Sequence, residues 1–192
     1  PIMEDGFEAA ENDFIEDSAM FNSDWELEAG EVYAYKSGEV NGWTAHSGDQ
    51  FLEMNGFEPG TISTNVTTVV DQLYRLTFAY AKNTDADEPL EMKVKVGTVT
   101  NLTVTASTEA ANDALEWKIK QIEFTATETD TKIEFKSLED DENAVLLDTV
   151  RVEEVAPANL YAIFSELENL ARDPMKFNYA PYAQKEEQVL FS

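Results

Sequence analysis

The 192-residue chain has no cysteine, a single histidine, and only 13 Lys and Arg against 39 Asp and Glu. Without cysteine there are no disulfide staples, no thiolate metal site and no cysteine nucleophile. One histidine, His46, excludes a histidine-rich metal site. The charge balance, 13 − 39 = −26, repels phosphate backbones and anionic membranes, so nucleic-acid binding is set aside. No apolar run approaches the roughly 20 residues that span a bilayer, and membrane insertion is not expected. The start, Pro1-Ile2-Met3-Glu4-Asp5, lacks the basic region and apolar stretch of a secretory signal, so none is expected in this chain. Pro1 is read either as the residue left by initiator-Met removal or as a trimmed end. Catalytic signatures are also missing: there is no Gly-x-Ser-x-Gly, no phosphate-cradling Gly-rich loop and no His-Glu-x-x-His. Glycosidases use two carboxylates at a set separation, but among 39 acids any pair can be imagined. The expectation is a protein that is not an enzyme.

What is present is enough apolar material for one large domain. Hydrophobic residues make up 43% and aromatics 11%, which excludes wholesale disorder. Two readings of the acidity remain. Most of it is a solvated surface suited to a salty medium, where ions screen self-repulsion. Part of it could hold calcium, whose ligands are hard oxygens.

Residues 1–30 are acidic with scattered aromatics and show no helical period. Short strands and loops are expected there. Strand signals then recur: Glu31–Tyr35, Gln50–Asn55, the β-branched run Thr61–Val70, and Leu73–Ala81. In the last of these Tyr74, Leu76, Phe78 and Tyr80 share one face at period two. Asn83–Pro89 is a polar turn, and Leu90–Val96 and Thr98–Thr105 flank Gly97 like a hairpin with a very tight link. In Leu115–Ala126 the apolar phase flips between Leu115, Trp117, Ile119 and Ile122, Phe124, which suggests a bulge or corner. Thr131–Leu138 and Ala144–Val155 complete a set of seven or more strands, the pattern of an all-β sandwich. After Ala156-Pro157, residues Leu160, Ile163, Phe164, Leu167 and Leu170 recur at helical spacing, and Asp173-Pro174 ends the run. The apolar tail that follows either packs back on its own sandwich or docks a neighbouring subunit. The expected organisation is a sandwich over 1–155 and an α-helix with an extended tail over 156–192.

Three stretches carry a family resemblance. They are Asp5-Gly6-Phe7-Glu8; Gly42–Gly56, running on through Pro59–Ser63 to Leu73–Ala81; and Phe124–Thr127 with Ile133–Phe135 and Leu146–Val152. Together they resemble the galactose-binding-like domains of plant cell-wall and bacterial exported proteins, a domain-of-unknown-function family related to bacterial carbohydrate-binding modules. The resemblance covers about residues 3–155. It implies an antiparallel jelly-roll and a sugar- or cell-wall-binding role. The paired cysteines of the plant members are absent, and the segment after 156 lies outside the pattern. In related modules a calcium ion clips the first strand to the last, and the matching positions are Glu8 and Asp148. The other reading is that each carboxylate accepts backbone N–H bonds without an ion. Sugar sites pair aromatic platforms with planar polar groups, and the candidates are Trp25, Tyr33, Tyr35, Trp43, His46 and Gln50. Trp43 is also a natural core residue, and His46 a natural structural hydrogen-bonder.

The expected function is non-catalytic binding of a glycan or cell-surface polysaccharide at an extracellular or virion surface. The acidity, the appended helix and the missing signal suggest a phage capsid decoration or appendage. The rival is a structural protein that forms a homo-oligomer or larger assembly through residues 157–192.

Overall fold

The computed structural model describes residues 1–107, 114–140 and 142–156, and these fall within one unit, Pro1–Val155, apart from Ala156. The helix and tail expected from 157 onward lie outside the described residues. Among the described residues twelve strands follow in chain order: β1 (Met3–Asp5), β2 (Phe14–Ile15), β3 (Glu26–Ala29), β4 (Val32–Lys36), β5 (Gln50–Glu53), β6 (Thr61–Thr67), β7 (Leu73–Lys82), β8 (Leu90–Val96), β9 (Thr100–Ala106), β10 (Lys118–Thr125), β11 (Asp130–Ser137) and β12 (Val145–Glu154). A 3-10 turn, Ser18–Phe21, is capped by the Asp17 carboxylate accepting from the Ala19 N–H.

The strands form two antiparallel sheets. The seven-stranded sheet runs β10-β7-β12-β5-β4-β2, with β1 also on β12, and the five-stranded sheet runs β3-β6-β11-β8-β9. Alternation decides which side chains meet between them. Leu52, Leu76, Phe78, Leu147 and Val152 face inward from one sheet; Ile62, Met92, Val94, Ile133 and Phe135 face inward from the other. Phe78 meets Phe135 edge-on at 5.1 Å across the sandwich. Each such side chain contributes about 1.5–3 kcal/mol by leaving water.

The seven-stranded sheet is covered on its outer face too. There Trp43, Phe51, Ala81 and Leu146 form a second buried cluster, with Tyr35, Val40, Ala45, Leu115 and Trp117 packed against it. This second layer explains why all four residues of β5 are buried. It also explains the phase flip in 115–126. β10 pairs with β7 in unbroken register from Lys118 to Thr125, without a bulge. Leu115 and Trp117 precede the strand and pack on the outer face, whereas Ile122 and Phe124 face the core. Register shifts lie instead in β12, between Asp148 and Arg151, and in β3, between Leu27 and Ala29. The β8–β9 connection is Gly97-Thr98-Val99, three residues rather than one, with Gly97 at φ 51°.

Candidate functional site

The outer face of the seven-stranded sheet carries a cleft of roughly 270 Å³ where β2, β4 and β5 meet the segments around 56, 84 and 143. Its wall is a run of aromatic rings, placed by strand register. Phe14 of β2 lies opposite Tyr33 of β4, and Tyr35 lies opposite Phe51 of β5. In β4 the even-numbered Val32 and Ala34 point into the core, so Tyr33 and Tyr35 must point outward. Phe57 stacks on Phe14 at 4.8 Å and 18°. Phe14 meets Tyr33 edge-on at 4.6 Å, and Tyr33 lies 4.3 Å from Tyr35. Phe57 is 73% exposed, an unusual position for a large apolar ring. Its N–H is fixed by Glu31 Oε2 at 3.0 Å.

The floor is polar. Glu53, opposite Tyr33 on β5, is only 4% exposed. Its Oε1 accepts from Asn83 Nδ2 at 2.6 Å and from the Ala144 N–H at 3.0 Å. Burial pushes its carboxyl up to about 7, against the opposing pull of bonds from Asn83, Ala144 and Tyr35. Burial, and then the neighbouring Glu53, raise the Tyr35 hydroxyl far above the usual tyrosine value. The 83–86 turn is tied down on all sides. Asn83 Oδ1 accepts from the Asp85 N–H at 2.8 Å, Asn41 Nδ2 donates to Asp85 at 3.2 Å, and Trp43 Nε1 donates to Thr84 Oγ1 at 3.1 Å. The result is an aromatic wall beside fixed, planar polar groups.

Of the candidates named from the sequence, Tyr33, Tyr35 and Trp43 come together in this cleft. Trp43 is almost fully buried and forms supporting wall. The other three lie elsewhere. Trp25 is 2% exposed in the main core, against Phe7 at 5.4 Å and Phe135 at 6.0 Å. Gln50 is buried beneath the N-terminal segment, where Nε2 donates to the carbonyls of Phe7, Glu8 and Ala10. His46 bonds Thr149 Oγ1 through Nδ1 at 3.0 Å and lies edge-on to Trp117 at 6.1 Å. The cleft residues that sequence reasoning missed are Phe14, Phe57, Glu53, Asn83 and Asp85.

Glu8 and Asp148 do approach one another around Gly6. A Cβ added there would sit 3.5 Å from Asp148 Oδ1 and 3.7 Å from Glu8 Oε1. Both carboxylates accept backbone N–H bonds. Glu8 takes those of Asp49 and Gln50 at 3.0–3.1 Å. Asp148 takes those of Ser47 at 3.0 Å and Thr149 at 2.5 Å. The grip on Glu8 requires glycine at 48: φ is +70°, and a Cβ would fall 2.1 Å from Glu8 Oε1. Asp148 sits at the β12 bulge, where Thr149 adopts φ 50°, a left-handed conformation rare for a β-branched residue. Burial raises the Asp148 carboxyl above its usual range, opposed by N–H bonds from Ser47, Thr149 and His46. Among the described residues no group of three or more His, Cys, Asp or Glu could hold a metal ion by itself. The donor chemistry nevertheless fits a hard cation. Two carboxylates converge, and the Gln50 amide oxygen on the same segment is buried without a partner. Backbone carbonyls and water would have to complete any shell.

Two antiparallel sheets of this order form a β-sandwich of jelly-roll type, with a cleft on the outer face of one of them. Residues 9–153 match the family described as "Protein of unknown function (DUF642)", and the chain belongs to that family. Among solved structures, the fold is similar to TmCBM61, determined in complex with beta-1,4-galactotriose. The TM-score is 0.54 at 20% identity, covering 78% of this chain and 94% of that one. The CBM22-1 xylan-binding domain of Paenibacillus barcinonensis Xyn10C gives a TM-score of 0.49 at 16% identity, with 82% and 96% covered. Among curated proteins, Halomucin of Haloquadratum walsbyi is 27% identical over 142 residues, 71% of this chain. The chain spans only 2% of the length of that relative. Among the described residues no helix is long and apolar enough to cross a membrane.

Proposed function

We propose that this domain is a non-catalytic glycan-binding module, and that it holds its ligand in the cleft over β2, β4 and β5. One observation carries the reading: the aromatic run Phe57–Phe14–Tyr33–Tyr35 borders a floor of fixed planar polar groups. A sugar ring offers an apolar C–H face and a rim of hydroxyls. The first suits the open Phe57 ring; the second suits Glu53, Asn83 and Asp85. The fold shared with TmCBM61, a structure solved with a galactotriose, supports the same direction. Screening the full chain against a glycan array, with and without calcium, tests the reading. Absence of binding to every glycan would count against it.

We extend the proposal to the setting: an extracellular or virion surface, such as a phage capsid decoration or appendage, where high acidity keeps the protein soluble in salt. Calcium is proposed as a structural ion held by Glu8 and Asp148. It would offset the buried charge of Asp148 and clip the N-terminal segment to β12. A second reading, assembly of a homo-oligomer through residues 157–192, rests on that segment's apolar residues, among them Leu160, Phe164, Leu167, Tyr182 and Phe191. Light scattering before and after deletion of 157–192 tests it, because an oligomer that dissolves on truncation requires the segment.

A further inference from the structure

The ligand class follows from the charges of the cleft and rests on the glycan reading above. We infer that the cleft takes uncharged saccharides and turns away uronate-bearing ones, with Glu53 as the residue that sets the choice. Among the described lining residues three are carboxylates, Glu53, Asp85 and Glu142, and none is Lys, Arg or His. A sugar carboxylate needs a cation or a set of uncommitted N–H donors. Five donors in and around the floor are already turned onto protein acceptors. Asn83 Nδ2 and the Ala144 N–H serve Glu53 Oε1. Asn41 Nδ2 serves Asp85, the Asp85 N–H serves Asn83 Oδ1, and Trp43 Nε1 serves Thr84. The polar floor therefore offers mainly acceptor oxygens, and a fitting ligand brings most of the donors. Neutral sugar hydroxyls do so, whereas a uronate adds a like charge a few ångströms from a desolvated carboxylate.

Glu53 is the dominant member of the set because it is the buried one. Asp85 and Glu142 are exposed and screened by solvent. Among the described residues, the titratable groups facing Glu53 are the Tyr35 hydroxyl, the Asp85 carboxylate and Tyr33 opposite it on β4. None of them supplies a compensating positive charge.

The test is calorimetric titration of the full chain at pH 8, where Glu53 is ionised, with matched ligands. Galacturonan oligosaccharides are compared with the same oligosaccharides after methyl esterification, alongside neutral galactan and xylan oligosaccharides. Each titration is run with calcium and with chelator. The expected result is binding of at least one neutral ligand, with the free uronate weaker than its ester by about tenfold or more. Glu53→Gln should shrink that gap several-fold. Asp85→Asn, an exposed rim change, should shrink it less and carries the comparison if Glu53→Gln does not fold. Uronates binding as tightly as their esters, with or without calcium, would overturn the inference and leave the glycan reading standing. No binding by any saccharide would overturn both.

Discussion

Replacing Glu53 by Gln should stabilise the protein at alkaline pH and leave it nearly unchanged in acid. Glu53 is buried with its carboxyl raised from 4.5 to about 7, chiefly by loss of hydration. The folded state therefore holds this proton more tightly than the unfolded state. Its contribution is fully favourable below about pH 4.5 and is lost as pH rises through about 7. Every tenfold gain in proton affinity on folding is worth about 1.4 kcal/mol, so the ionised side chain burdens the fold by on the order of 3 kcal/mol at pH 8. Glutamine keeps an acceptor oxygen for Asn83 and Ala144, and its amide can donate to the Tyr35 hydroxyl. For a domain of this size about 3 kcal/mol corresponds to a melting-point gain of roughly 6–12 °C. The assay is thermal unfolding of both proteins at pH 5 and pH 8. Their difference cancels the pH dependence that the other acidic residues impose on both. A difference between variant and wild type that is the same at the two pH values would refute the reasoning.

Three other substitutions and one metal addition have defined outcomes. Gln50→Ala removes three bonds to the carbonyls of Phe7, Glu8 and Ala10. It should lower stability by about 2–3 kcal/mol in urea unfolding while leaving saccharide affinity unchanged. Trp25→Ala opens the main core and should cost about 3–5 kcal/mol, again without a selective effect on binding, as read from the urea midpoint and a calorimetric titration of whatever remains folded. Returning calcium to chelator-stripped protein at about 100 times its Kd should stabilise the fold by about 2.7 kcal/mol in thermal unfolding, and Asp148→Ala should abolish that gain. An unchanged melting point on calcium addition would remove calcium from the account.

Much of the sandwich was legible in the chain because strands such as β7 and β11 are half-buried and alternate along most of their length. Tyr74, Leu76 and Phe78 in β7, and Ile133 and Phe135 in β11, show their faces at period two. The outer cluster was not legible in the same way. Leu115 and Trp117 belong to a covering loop, so their phase against Ile122 mimics a bulge that the β10–β7 register does not contain. At the site, Tyr33 and Tyr35 were legible because they alternate with Val32 and Ala34. Gln50 shares its phase with the inward Leu52, a local clue that it belongs beneath the core. Glu53 shares the opposite phase with Phe51. What no local pattern could supply is long-range register: Phe14 against Tyr33, Tyr33 against Glu53, and Asn83 against Glu53 across 30 residues. Phe57 and Asn83 sit in turns, where composition signals a change of direction but not what the turn faces.

The most direct test of the central claim is calorimetric titration of wild type and of Phe57→Ala with a neutral oligosaccharide that binds on an array. Phe57 is mostly exposed, so the change should leave the melting temperature nearly unaltered. The account predicts roughly a fivefold or greater loss of affinity from the missing stacking surface. A Phe57→Ala protein that binds as tightly as wild type would contradict the placement of the ligand in this cleft.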